Sequence, residues 1–283
     1  MARSSKTALV QSTFLAWIAV LAANVHAAST TTVPIQLVGT EAPVIQVRVQ
    51  GKDLSLQLDL GDASSLVLHP EVLATLRSEP TDKTFKFFSM DGQFETPIVT
   101  LDDVEIGSLK FGRVEARKDT HEEAFLKAKK AGVGAVGFIG TGLLGAGQIR
   151  LDYPHKNLSI SLPGKEGGLR NICKGKAVPF VVNIYGFTTG VSTDIGELQL
   201  GWDTGAPAIL ISRSTATAAR LSGDQESAVS EKFLVAGKNF GPQRIEIWDN
   251  MPLPPEIAGL IGHPFFQEHI VCFDYPGHRL HIR

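Results

Sequence analysis

Apolar and polar residues alternate along much of the chain with the period of two that marks a half-buried strand. Val44–Val49 (VIQVRV) and residues 54–60 (LSLQLDL) both show it, and Gly51-Lys52-Asp53 between them reads as a turn. Residues 85–99 predict a hairpin reversing at Met90-Asp91-Gly92, because Asp-Gly is a strong hairpin signal. Helical signals are few. Residues 70–76 read as a short helix with Pro70 in its first turn. Residues 120–130 read as a longer one: Thr120 and Glu123 have capping-box spacing, lysines fill the last turn, and Gly132 follows as a stop. The pattern predicts an all-β fold with few helices.

A duplication organises these elements. Residues 151–160 read LDYPHKNLSI and residues 273–282 read FDYPGHRLHI, with Asp, Tyr, Pro, Leu and Ile at identical spacing. Gly137-Phe138-Ile139-Gly140 precedes the first copy, and Gly259-Leu260-Ile261-Gly262 precedes the second. Further upstream, strand-like runs end in Asp59-Leu60-Gly61 and in Asp203-Thr204-Gly205. The chain therefore divides into lobes at about 33–162 and 177–283. The linker between them, 163–176 (PGKEGGLRNICKGK), is rich in Gly and Lys and poor in apolar residues. Asp59 to Asp152 spans 93 positions and Asp203 to Asp274 spans 71. The predicted helix at 120–130 accounts for much of the excess, as an insertion in the first half.

Each motif has a local reason. Asp-x-Gly ends a strand at a carboxylate, and its glycine permits a tight turn with close backbone approach. Gly-apolar-apolar-Gly reads as a buried strand bounded by glycines, past which another segment can cross. Alone, each is common and can be a plain turn or a core strand. Their paired order in both halves is far more specific. With these motifs, the whole chain after residue 27 resembles the aspartic proteases of the pepsin and retropepsin superfamily. More narrowly, it resembles bacterial single-chain relatives built from two retropepsin-like lobes. Asp203-Thr204-Gly205-Ala206 is similar to the family's Asp-Thr-Gly-Ala catalytic loop, and Asp59-Leu60-Gly61-Asp62 looks like a degraded copy.

The resemblance implies a bilobal fold of two similar β-barrel-like lobes and an aspartic endopeptidase activity. It implies that Asp59 and Asp203 form the catalytic dyad, sharing a proton and a water, with Gly61, Asp62, Thr204 and Gly205 supporting their loops. It makes the first-lobe hairpin a flap, with Asp91, Gly92 and Gln93 over the substrate; residues 236–240 hold a similar place in the second half. It implies a peptide or protein substrate, no cofactor and no metal. Two carboxylates in contact cannot both ionise cheaply, so one proton affinity falls and the other rises. The ionised member can act as general base on water while the protonated one polarises a carbonyl.

Two residues depart from the family pattern. Leu60 stands where the family has a hydroxyl that bonds across to the opposite lobe, so half of that brace is expected to be lost. Asp62 stands where the family has Ala or Ser. It is expected either to point into the cleft and raise the dyad's proton affinity, or to turn away and accept N–H groups of its own turn. The first is slightly favoured. These departures keep a second reading open, a catalytically weak or inactive relative that binds peptides or a partner protein in the same cleft. A third is a paired β-domain with a structural role.

Composition narrows the alternatives. The 283 residues carry a net charge of −2, 43% are apolar, and no stretch clusters Lys and Arg as nucleic-acid binding requires. Arg3 and Lys6 precede an apolar run at 14–23 (FLAWIAVLAA), and Val25-His26-Ala27 suits cleavage. Residues 1–27 thus read as a signal peptide, and the product as periplasmic or secreted. Ten apolar residues fall short of the about 20 that span a bilayer, so no stable membrane insertion is expected after cleavage. Two cysteines remain, Cys173 and Cys272, either bridged in an oxidising compartment or buried as separate thiols. His263, His269, His278 and His281 cluster near the C-terminus. His278 and His281, three apart on a predicted strand, face opposite sides and do not read as a metal site.

Overall fold

The computed structural model describes residues 30–37, 43–89, 92–119, 134–164, 168–183, 186–221, 225–251 and 253–283. The expected signal peptide, the hairpin tip at Met90 and Asp91, and the expected helix at 120–130 lie outside them. The first half runs β1 (Thr30–Pro34), β2 (Val44–Val49), β3 (Lys52–Leu58), β4 (Leu66–Leu68), α1 (Pro70–Leu73), β5 (Ser78–Ser89), β6 (Gly92–Ile106), β7 (Leu109–Lys118), β8 (Ala135–Ile139), α2 (Thr141–Leu144), β9 (Gln148–Asp152) and β10 (Asn157–Ser161). The second half runs β11 (Ala177–Pro179), β12 (Val181–Asn183), β13 (Gly186–Thr193), β14 (Gly196–Trp202), β15 (Ile209–Ser212), α3 (Arg213–Ala218), β16 (Ser227–Ser230), β17 (Phe233–Val235), β18 (Lys238–Asn239), β19 (Gln243–Trp248), β20 (Gly259–Ile261), α4 (His263–Glu268), β21 (Ile270–Asp274) and β22 (Arg279–Ile282).

The alternating sequences become strands with one face buried. In β2, Ile45, Val47 and Val49 pack inward while Gln46 and Arg48 face solvent. β2 to β8 form a seven-stranded sheet in the order β2-β3-β8-β4-β7-β6-β5, and β2 also pairs with β6, so the sheet curls toward closure. The second half builds a nine-stranded sheet, β16-β19-β15-β20-β14-β13-β17-β18, with β12 on β13.

A third sheet joins the halves. Its order is β1-β10-β9-β21-β22-β11, antiparallel throughout. Each half contributes a leading strand and one hairpin, and those hairpins are the two Asp-Tyr-Pro repeats. β9 meets β21 with Arg150 opposite Cys272, so the duplicated sequence becomes an approximate two-fold axis between these strands. One extensive core of buried side chains runs through both halves and includes Tyr153 and Tyr275 of the repeats.

The segment between the halves forms no strand among its described residues, yet it is anchored. Cys173 and Cys272 form a disulfide, and Ile172 N donates to Gln148 Oε1 at 2.8 Å. The histidines disperse rather than gather. His278 lies in the turn before β22 with φ of 49°, not on the strand, so the expected face argument does not apply to it. Among the described residues no group of His, Cys, Asp and Glu could hold a metal ion, and no helix is long and apolar enough to cross a membrane.

Candidate active site

In each lobe a loop leaves one strand, crosses the end of a second and returns as a third. β3 runs parallel to β8, and β4 returns antiparallel to it, so the 59–65 loop arches over the end of β8. β14, β20 and β15 repeat this arrangement around the 203–208 loop. The hydrogen bonds repeat too. Asp59 N donates to Ile139 O at 2.9 Å and Asp203 N to Ile261 O at 3.1 Å. Thr141 N donates to Asp62 O at 2.8 Å and His263 N to Ala206 O at 2.9 Å. The bounding glycines leave room for these crossings: a Cβ at Gly137 would overlap Val67 O, and one at Gly259 would overlap Leu210 O.

The two loops meet, and the structure brings the carboxyl groups of Asp59 and Asp203 side by side: a Cβ added at Gly205 would lie 2.8 Å from Asp59 Oδ2 and 3.1 Å from Asp203 Oδ1. Gly61 N donates to Asp59 Oδ1 at 3.0 Å, and Gly205 N to Asp203 Oδ1 at 2.7 Å. Each carboxyl group also rests against the opposite loop's glycine. A Cβ on Gly61 would come within 2.5 Å of Asp203 Cγ, and one on Gly205 within 2.8 Å of Asp59 Oδ2. The second residue of Asp-x-Gly is therefore followed by glycine for reasons of space as well as of turn geometry.

The cross-lobe brace is present in one direction. Thr204 Oγ1 donates to Leu58 O at 2.7 Å and accepts from Leu60 N at 2.9 Å, both buried. Leu60 supplies no reciprocal hydroxyl; its side chain is fully buried in the core instead. Thr204→Val keeps the shape and removes both bonds, leaving a buried carbonyl and N–H unpaired. The expected cost is about 1–3 kcal/mol. A denaturant midpoint unchanged from the parent's would show that the brace contributes nothing.

Asp62 turns to its own loop. Its Oδ1 accepts from Ser64 N, and its Oδ2 pairs with Arg117 Nη2 at 2.9 Å. This is the second of the two expected orientations, with a counter-ion added that the sequence did not reveal. Arg117 lies on β7, 3% exposed, and its Nε donates to Ser64 Oγ at 2.7 Å. Its guanidinium carbon also sits 5.2 Å from the Phe85 ring centre and 5.5 Å from that of Phe138. Inward positions in β7 run 109, 111, 114, 116, so a charged residue at 117 reads as solvated. It is buried because Asp62, Ser64 and the rings of Phe85 and Phe138 surround it. The signal that could have found it was Asp62 itself, a carboxylate in a tight loop with no cation nearby in sequence.

Burial, above all, holds both Asp59 and Asp203 above the usual carboxylate range. For Asp59, furthest raised, the charges of Asp203 and then Asp62 add to it. At Asp203 the Gly205 N–H, and after it the Asp59 carboxyl and the Ala206 N–H, work against burial, while the charge of Asp62 adds to it.

The first-lobe hairpin forms: β5 and β6 pair down to Ser89 opposite Gly92. Asp91 lies outside the described residues; Gly92 and Gln93 are placed as backbone on β6. In the second lobe β17 and β18 form a shorter hairpin turning at Ala236-Gly237, both with positive φ. A surface pocket of about 210 Å³ lined by Val33, Gln46, Arg48, Asp53 and Glu105 lies elsewhere and contains neither aspartate.

No protein-family model matches the chain, and no curated protein matches it in sequence. Among solved structures it is similar to an aspartic proteinase from Irpex lacteus, with a TM-score of 0.57 over 89% of this chain and 96% of that one. Sequence identity is 12%, so the likeness is one of fold. The chain has the bilobal, mostly β fold of the aspartic proteinases.

Proposed function

We propose that the chain is an aspartic endopeptidase of the single-chain, two-lobed retropepsin-like kind. The observation that carries this reading is the contact between the Asp59 and Asp203 carboxyl groups, each held by an N–H of its own loop and packed on the glycine of the other. A structural β-pair would have no need to bury two adjacent carboxyls, because their desolvation costs stability.

The chemistry follows from the asymmetry of the pair. In this reading Asp203 is the ionised member and takes a proton from a water held between the carboxyls. The hydroxide equivalent adds to the peptide carbonyl carbon while Asp59 donates its hydrogen to the carbonyl oxygen. Collapse of the tetrahedral species breaks the C–N bond: the proton on Asp203 goes to the leaving nitrogen, and one hydroxyl of the gem-diol returns its proton to Asp59, which restores the pair. Rates are greatest where the pair carries one proton, and its apparent pKa values belong to the pair. Burial and Asp62 move that window upward from strong acid toward neutral pH.

The substrate in this reading is a peptide or protein segment under the β5–β6 hairpin, with Asp91, Gly92 and Gln93 at its tip. Export to the periplasm or beyond is part of the proposal, supported by the signal-like residues 1–27 and by the disulfide, which oxidising compartments favour. The test is cleavage of an unbiased peptide library between about pH 3 and 7, with and without a hydroxyl-bearing transition-state mimic for aspartic peptidases. The expected result is hydrolysis that the mimic stops. Saturable peptide binding without cleavage at any pH would replace the peptidase with a peptide-binding relative.

A further inference from the structure

We propose that Arg117 is a positioning residue of the dyad, whose charge offsets part of that of Asp62 and so tunes the pH range in which the two aspartates share a proton. The proposal rests on the peptidase reading for its rate measurement, though not for its titration.

The geometry isolates this function in one side chain. Arg117 joins three elements: it pairs with Asp62 on the 59–65 loop, donates to Ser64 of the same loop, and lies against Phe85 of β5 and Phe138 of β8. Few charged groups face the pair among the described residues. On the first-lobe side they are Asp62 and Arg117, with Asp119 buried two residues beyond Arg117 at the end of β7. On the second-lobe side α4 brings His263, whose Nδ1 lies 3.1 Å from Ala206 O. The pseudo-equivalent of Asp62 is Ala206, and that of Arg117 is Glu246: β4 sets Val67 opposite Arg117, and β15 sets Leu210 opposite Glu246. The charge pair is thus peculiar to one lobe. It answers the problem posed by a third carboxylate next to two that must hold only one negative charge.

The consequence has a sign. With Arg117 present, the charge of Asp62 still raises the dyad's proton affinity, but less than it would alone. Without Arg117, the bare Asp62 charge favours protons on the dyad, and both limbs of the pH–rate profile move to higher pH. Without Asp62, the positive charge of Arg117 disfavours protons on the dyad, and both limbs move to lower pH. Through a partly buried medium, each shift is on the order of half a pH unit to one pH unit. Removing both should bring the profile back near the parent's. A purely structural role predicts no such opposition of sign.

The experiment is a cycle of Arg117→Met, Asp62→Asn and the double variant. It is read by the pH–rate profile and by NMR titration of ¹³C-labelled aspartate carboxyls, assigned with Asp59→Asn and Asp203→Asn. Arg117→Lys, which keeps the charge, should leave the limbs in place. Opposite shifts that cancel in the double variant support the proposal. Shifts of the same sign, or none, in folded variants overturn it. Should Arg117→Met fail to fold, Asp62→Asn alone still decides, because a titration that does not move downward overturns it. If no protein cleaves peptides, the peptidase reading fails while the carboxyl titration still tests the charge cycle.

Discussion

At neutral pH, Asp59→Asn and Asp203→Asn are each expected to give a protein that no longer cleaves peptides and that melts at a higher temperature than the parent. The loss follows from the pairing. In the proposed mechanism a single water is held by both carboxyls, so either substitution removes the shared proton or its acceptor. The expected fall in turnover is on the order of 10³-fold or more, and the double variant should lose little beyond either single one, because residues that act as a unit are not additive. The gain in stability follows from burial. Both aspartates are held above the usual carboxylate range. The folded state therefore binds more protons than the unfolded state once pH exceeds about 4, and stability falls as pH rises from there toward the folded-state values. Below about pH 4 both states are protonated and the penalty is absent. Asn at either position carries no such cost, so the gain should be larger at pH 7 than at pH 4. A gain of roughly 1 kcal/mol raises the melting temperature by about 2–4 °C in a chain of this size. Melting curves at both pH values and progress curves on one good substrate check the two parts separately. Full turnover in either single variant removes the dyad. A melting temperature that shifts equally at both pH values removes the linkage argument.

The sequence carried the architecture further than the site. The repeats at 151–160 and 273–282 are the hairpins β9–β10 and β21–β22, which meet at the centre of the shared sheet. Periodicity reads such pairs well, because each inward residue must find a core whatever the rest of the chain does. The glycine motifs were legible for the same reason, since an added Cβ at Gly137, Gly140, Gly259 or Gly262 would overlap a crossing backbone. What sequence could not supply were contacts between elements with no shared period. Arg117 is 55 positions from Asp62 and reads as a solvated residue of an outward face. The orientation of Asp62 depended on that partner. Leu60 was legible as a missing hydroxyl, but not as a side chain absorbed by the core, which is why half a brace suffices to position the loops. The cysteines were legible only as two residues in a chain with a signal-like N-terminal segment; their Cα atoms are 5.4 Å apart because the chain at Cys173 lies against β21.

That bond carries the largest expected effect on stability. Cys173 lies just before the second lobe and Cys272 within its last hairpin, so the closed loop, with a sequence separation of 99, encloses nearly the whole lobe. The unfolded lobe is thus strongly restricted, and in the chain-entropy view a loop of about 100 residues corresponds to about 4.7 kcal/mol, within the roughly 2–5 kcal/mol that loss of native disulfides typically costs. For a protein whose whole stability is about 5–15 kcal/mol, this is a large share. Both sulfur-bearing residues are buried, and Cys272 sits opposite Arg150 on the strand that faces the first lobe. The test is Cys173→Ala with Cys272→Ala, since either change alone leaves a reactive thiol. The expected result is a denaturant midpoint lowered by that free energy, with second-lobe amides losing protection from hydrogen exchange. Turnover well below the new melting temperature should persist, because the dyad is positioned by Gly61, Gly205 and the Thr204 bonds rather than by the disulfide. A midpoint within about 0.5 kcal/mol of the parent's would mean that the unfolded lobe is already compact without the bond, and the entropic argument would fail. Normal stability with lost turnover would instead place the disulfide in the machinery that aligns the two lobes.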